Sequence, residues 1–173
     1  VALAAGGGAP LAAGANRTND SGFAEVHHGI DAHPHLPTGF EPQTLIRWGD
    51  PVLANAPAFD PRRQTAAAQE QQFGYNHDYL ALMPLPFGRE HSHHALLCVN
   101  HEFTSRQVMF ADQPQPDFLA QPSVGVLDKA LMEVEMAAHG CSVLEIERQA
   151  NRWRVVTDSL FARRISASSR EMR

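Results

Sequence analysis

Leu96-Leu97-Cys98-Val99-Asn100-His101-Glu102-Phe103 decides the reading of this chain. Its apolar start favours a buried strand, and the amide, imidazole and carboxylate that follow must find hydrogen-bond partners or bind something. Asn100 and Glu102 offer hard oxygen donors, the kind that suit calcium or another highly charged cation, and His101 adds a borderline nitrogen. The alternative is a strand end whose polar groups satisfy one another.

Upstream of that strand the pattern recurs. Phe73-Gly74-Tyr75-Asn76-His77-Asp78-Tyr79 is turn-rich and leads into the apolar run Leu80-Ala81-Leu82-Met83, so ligand-type residues again sit at a strand end. Downstream, Leu127, Ala130, Leu131, Val134, Ala137 and Ala138 recur at three- and four-residue spacing, which predicts an amphipathic helix within residues 125–138 with Gly140 as its stop. Residues 142–148 alternate apolar and polar, residues 153–157 answer them, and together they predict a β-hairpin. A further strand is expected over residues 43–48, ended by Gly49-Asp50-Pro51, and a polar helix-compatible stretch over residues 65–72. Residues 110–124 carry Pro114, Pro116 and Pro122 and read as an exposed excursion. The fold class expected is mainly β, with one moderate helix and long loops.

Composition bounds the function. The 173 residues are enough for one domain with a sizeable core, and 43% hydrophobic with 19% charged residues is a globular balance. A net charge of −5, from 14 basic against 19 acidic residues, argues against a nucleic-acid-binding surface. No run reaches the roughly 18–20 apolar residues of a membrane span. Residues 1–22 read as a flexible N-terminal segment or the remnant of an export signal, and residues 23–173 as the folded part, incomplete at its C-terminus. His27, His28, His33 and His35 fall in a Gly- and Pro-punctuated stretch, which favours a solvated loop over a metal site. Cys98 and Cys141 are expected as buried structural thiols, and their pairing is open. Nothing marks an oligomer, so a monomer is expected.

Five segments occur together in an order that resembles the N-terminal part of the PhoX family of bacterial alkaline phosphatases. They are Arg47-Trp48-Gly49-Asp50-Pro51, then Gln72 through Tyr79, then Leu96 through Phe103, then Glu133-Val134-Glu135-Met136-Ala137-Ala138-His139-Gly140, and finally Asp158-Ser159 with Arg163-Arg164-Ile165. The resemblance runs from about residue 36 to about residue 169. It implies a periplasmic or secreted phosphomonoesterase exported by the twin-arginine route, built on a β-propeller, carrying calcium and iron, and acting on small-molecule phosphate esters. It also implies further sequence after Arg164, with a Cys-containing iron-ligating segment, so that these residues alone would be inactive. Two positions depart from the family pattern: His77 stands where Asn is more frequent, and Phe103 where Tyr is usual.

The chemistry expected follows from the donor types. Hydrolysis of a phosphate monoester needs its charge neutralised, a nucleophile generated near neutral pH and the leaving oxygen stabilised, all of which multivalent cations supply. Asn76, Asp78, Asn100 and Glu102 are the metal-ligand candidates, with Glu102 also a catalytic carboxylate. His139, at the helix exit, is a second catalytic candidate or an ordinary helix cap. Arg164 is a candidate for binding the phosphate through its planar fork. Two alternatives remain: a calcium-dependent propeller lactonase or phosphodiesterase, and a non-catalytic calcium-binding propeller segment.

Overall fold

In the computed structural model, residues 2–4, 26, 29–89, 92–112 and 128–169 are described. Most of the expected flexible segment, His27 and His28, and most of the Pro-rich excursion lie outside the described residues. One antiparallel sheet organises the rest. A short ribbon of β1 (Ala2–Ala4) and β2 (Pro42–Thr44) is separate from it, so the first residues of the segment read as flexible are strand-paired.

The main sheet contains β3 (Leu80–Pro84), β4 (His94–His101), β5 (Gly140–Gln149), β6 (Arg152–Val155) and β7 (Arg163–Ile165). Its order is β3-β4-β5-β6, with β7 pairing the start of β5 at Cys141–Val143 and β6 pairing its end. The expected mainly β class holds, as one open sheet with, among the described residues, three short or moderate helices, α1 (Ala66–Gln69), α2 (Arg106–Met109) and α3 (Lys129–Ala138).

Period-two alternation sets which face is buried. Ala95, Leu97 and Val99 of β4 and Leu144 and Ile146 of β5 turn to one side, where Ile46, Val52 and Phe73 close over them. Each of these side chains larger than Ala95 contributes about 1.5–3 kcal/mol of burial. A second cluster, Met109, Phe110, Val134 and Ala138 with Trp48, Tyr75 and Leu131, seats α3 and α2. Arg106 Nε donates to Glu135 at 3.2 Å and ties those two helices together.

Where the structure differs from the sequence reading, tertiary contacts are the reason. The strand expected over residues 43–48 ends at Thr44, because Asp50 accepts the Arg47 N–H (2.7 Å) and Gly49 takes φ +86°. That turn delivers Trp48 inward, edge-on to Phe59 and Tyr75 and donating to Gln69 Oε1 at 2.7 Å. The hairpin turn tightens to Ala150-Asn151, both at positive φ, which matches the twist of the flanking strands. Gln43 replaces a strand partner on the edge of β6: its amide donates to Trp153 O (2.5 Å) and accepts from Trp153 N–H (3.0 Å). Cys98 and Cys141 are free and half-buried on the outer face of the sheet, not the buried thiols expected. Among the described residues, no helix is long and apolar enough to cross a membrane.

Candidate metal centre

The site grows from the junction where α3 runs directly into β5. Asp128 caps the start of α3 by accepting from Ala130 N–H at 2.9 Å. At its end Gly140 takes φ +114°, and a Cβ there would lie 2.0 Å from Ile165 O. Only glycine passes this point without displacing β7. The loop leaving Phe73 packs equally close: a Cβ on Gly74 would meet Ala138 O and the His101 ring, each at 2.4 Å.

His101 belongs to this packing and not to a ligand set. It is 2% exposed on the core side of β4, and its Nε2 accepts the Gly74 N–H (3.3 Å) and lies 2.8 Å from Ser142 Oγ. Acceptance at Nε2 places the ring proton on Nδ1. Burial, with the positive charge of Arg164 nearby, pushes its pKa down to about 3, so it is neutral at ordinary pH. His77 also turns inward, stacked on Phe73 at 4.6 Å with Nε2 bonded to Gly74 O at 3.0 Å, and burial lowers its pKa.

Arg164 likewise serves the fold. Its Nε donates to Gln72 O (2.9 Å), Nη1 to Cys141 O (3.3 Å) and Ile165 O (2.5 Å), and Nη2 to Ala137 O (2.5 Å) and His139 O (3.0 Å). All five guanidinium N–H groups end on backbone carbonyls, two of them carbonyls at the end of α3. This corrects the expectation that Arg164 holds phosphate, because no donor is left over. Its burial lowers its pKa to about 10 without removing the charge at neutral pH. His139 caps α3: its backbone N–H and ring Nδ1 both meet Glu135 O, the latter at 2.7 Å.

The remaining candidates converge one residue further out. Asn100 Oδ1 accepts the Tyr79 N–H (2.9 Å) and the Asp78 N–H (3.4 Å), and Glu102 N–H donates to Asn76 O (3.3 Å). These bonds strap the loop 76–79 across the exit of β4. They bring two exposed carboxylates, Asp78 and Glu102, into hydrogen-bonding reach. Glu102 is raised above the usual carboxylate range by sharing a proton with Asp78 and by the latter's charge; donation from Glu102 and from Asn100 lowers Asp78. Two solvent-facing carboxylates held together favour a shared proton or a cation. Asn76, whose backbone oxygen accepts the Glu102 N–H, sits at φ +49° and buries a side-chain Oδ1 that has no hydrogen-bond partner.

The set is all hard oxygen, which fits calcium in donor type. It is also incomplete, since calcium takes about 6–8 oxygens and, among the described residues, no three His, Cys, Asp or Glu side chains converge. The sequence reading assigned Arg164 to phosphate and left His101 open between a nitrogen donor and a satisfied strand end. Their partners, backbone atoms and the Ser142 hydroxyl, come from distant segments, which no local spacing reveals.

Against this geometry, the sequence matches the family Alkaline phosphatase PhoX over residues 21–173. The chain belongs to the PhoX family. It is also similar to a solved structure, Pseudomonas fluorescens PhoX in complex with vanadate, a transition state analogue, at 35% identity and a TM-score of 0.62. That match covers 76% of this chain and 20% of the Pseudomonas protein, so the chain spans about a fifth of this PhoX relative. None of the curated proteins matches the sequence.

Proposed function

We propose that this PhoX chain supplies part of the active site of a metal-dependent phosphatase that hydrolyses phosphate monoesters to an alcohol and inorganic phosphate. The observation that carries the proposal is the Asp78–Glu102 carboxylate pair strapped against Asn100, with the orphaned Oδ1 of Asn76 on the loop that carries Asp78. Asp78, Glu102 and Asn76 would hold calcium, Asn100 would position them because its Oδ1 is taken by the Tyr79 and Asp78 N–H groups, and the iron implied by the family would draw on ligands outside this donor set. A bound cation supplies charge neutralisation at the phosphoryl oxygens and at the leaving oxygen.

The chain's own contribution is positional. The Asn100 bonds to loop 76–79 hold Asp78 and Glu102 together before any ligand arrives, so little ordering is left for binding. Without a cation Glu102 shares a proton with Asp78, and a bound cation would take that proton's place. His139 is retained as a secondary candidate on its position beside this junction, although its Nδ1 is occupied by Glu135 O. The sheet would form one unit of a β-propeller in a periplasmic or secreted enzyme, acting as a monomer.

The test is hydrolysis of p-nitrophenyl phosphate by a longer PhoX enzyme carrying this segment, with calcium and after chelation, compared with its Glu102→Ala variant and with the 173-residue chain. Calcium-dependent activity that falls about a hundredfold or more in Glu102→Ala is the expected result. Activity that survives both chelation and Glu102→Ala, in a folded protein, would overturn the assignment.

A further inference from the structure

Three sulfur side chains lie in one diagonal line across the outer face of the sheet. The register pairs Met83 with Leu96, Cys98 with Ala81 and Val143, and Cys141 with Asn100. Met83, Cys98 and Cys141 therefore occupy successive rows on three adjacent strands, all on the face opposite the Leu97, Val99 and Leu144 core. Met83 is 36% exposed and both thiols are half-buried.

The ladder fixes which diagonal this is. Arg148 N–H bonds His93 O at 2.7 Å, which makes 98/143 and 100/141 non-hydrogen-bonded pairs, the class whose side chains stand closer together. Asn100 N–H bonds Tyr79 O at 3.3 Å, which makes 81/98 and 83/96 hydrogen-bonded pairs. Right-handed twist shortens one diagonal of each type and lengthens the other. Along the line Met83, Cys98, Cys141 each sulfur residue is the diagonal neighbour of the next.

From this juxtaposition we infer that Cys98 and Cys141, assisted by Met83, form a binding site for a thiophilic monovalent cation of the Cu(I) class. Diagonal neighbours lie about 7–8 Å apart, somewhat less at Cβ. A disulfide demands roughly 3.5–4.5 Å between Cβ atoms. The diagonal is too long for a sulfur–sulfur bond and suits a bridge of two metal–thiolate bonds of about 2.3 Å each. Thiolate and thioether are the donors that select Cu(I) over the hard cations suited to Asp78 and Glu102. Binding needs no redox partner: Cu(I) joins both sulfurs, the two thiols release two protons to water, and the product is an anionic bis-thiolate. The flexible thioether of Met83 approaches from the next row.

The measurement is anaerobic titration of the full chain with Cu(I), supplied as its acetonitrile complex and competed against a Cu(I) chelator, with sulfur ligation read by X-ray absorption. One equivalent with sulfur-only ligation is expected. Cys98→Ser and Cys141→Ser should each weaken it by about a hundredfold and Met83→Leu by several-fold, and excess calcium should leave it unchanged. Unfolding midpoints of the metal-free variants establish that the fold persists, with Cys→Ala versions as the substitute if a serine variant does not fold. Retention of tight binding in the double Cys→Ser variant would assign Cu(I) to the histidines or to other methionines and overturn the inference. Rapid formation of a Cys98–Cys141 disulfide by diamide in the folded chain would overturn it as well, because the thiols would then be too close for the bridge.

Discussion

His101 and Glu102 are consecutive, and the exit of β4 turns one into the core and the other into solvent. Around His101, Gly74, Ser142 and Arg164, most donors find acceptors across segments far apart in sequence, with His101 Nδ1 the exception, and the ring is kept neutral. Around Glu102 the backbone is just as well tied, yet the side chains are left with mutual repulsion and a buried oxygen without a partner. The same strand end thus holds a region spent on folding and a region held ready for a ligand. Polar residue type alone does not separate them; the direction of each side chain from the strand does.

The sharpest way to break this division is at Arg164. If its guanidinium is the clasp of the inner region, Arg164→Ala leaves carbonyls of residues 72, 137, 139, 141 and 165 without their donor. A loss of on the order of 3 kcal/mol in urea unfolding is expected, with Arg164→Lys recovering only part because a point ammonium does not reproduce the planar fork. An unchanged midpoint would return Arg164 to the ligand-binding side.

A smaller effect separates the two regions by pH. In the unfolded chain His101 titrates near the ordinary 6.5, and in the fold near 3. Between those values the unfolded state binds more protons, so stability is full above about pH 6.5 and falls as the solution is acidified toward pH 3. One such group contributes a slope of up to about 1.4 kcal/mol per pH unit. His101→Gln removes it, and the variant's stability should decline less steeply than the parent's between pH 6.5 and 5, above the range where most carboxylates titrate. Parallel curves would show that His101 is not held neutral by the core.

Much of the inner architecture was legible in the sequence. The apolar start of β4, the three- and four-residue spacing of α3 and the alternation of β5 each follow from which side chains must face one core. The short β7 and the helix α2 were not, because three or four residues carry too little periodicity to announce an element. Arg47-Trp48 read as strand because its turn depends on Trp48 meeting Phe59, Tyr75 and Gln69. For the outer region, Asn100 and Glu102 stood out as ligand types, but their meeting with Asp78 follows from the pairing of β3 with β4, and before that pairing only the family resemblance joined them. The thiols were misjudged in burial because on the outer face of this sheet they are only half covered, whereas residue type alone favours burial of cysteine.

The smallest effect on folding, and the most direct measure of the outer region, is expected from Glu102→Gln. Glutamine keeps the size and the hydrogen-bonding capacity of the side chain and removes its charge beside Asp78. In chelator the unfolding midpoint should stay put or rise slightly, since repulsion between two exposed carboxylates is relieved and no core contact is lost. Added calcium should raise the midpoint of the parent chain, because a ligand that binds only the folded state stabilises it by mass action, and the rise should shrink or vanish in the variant. If the Glu102 side chain were instead tied into the core like that of His101, the variant would unfold more easily in chelator, with calcium making no difference between the two proteins.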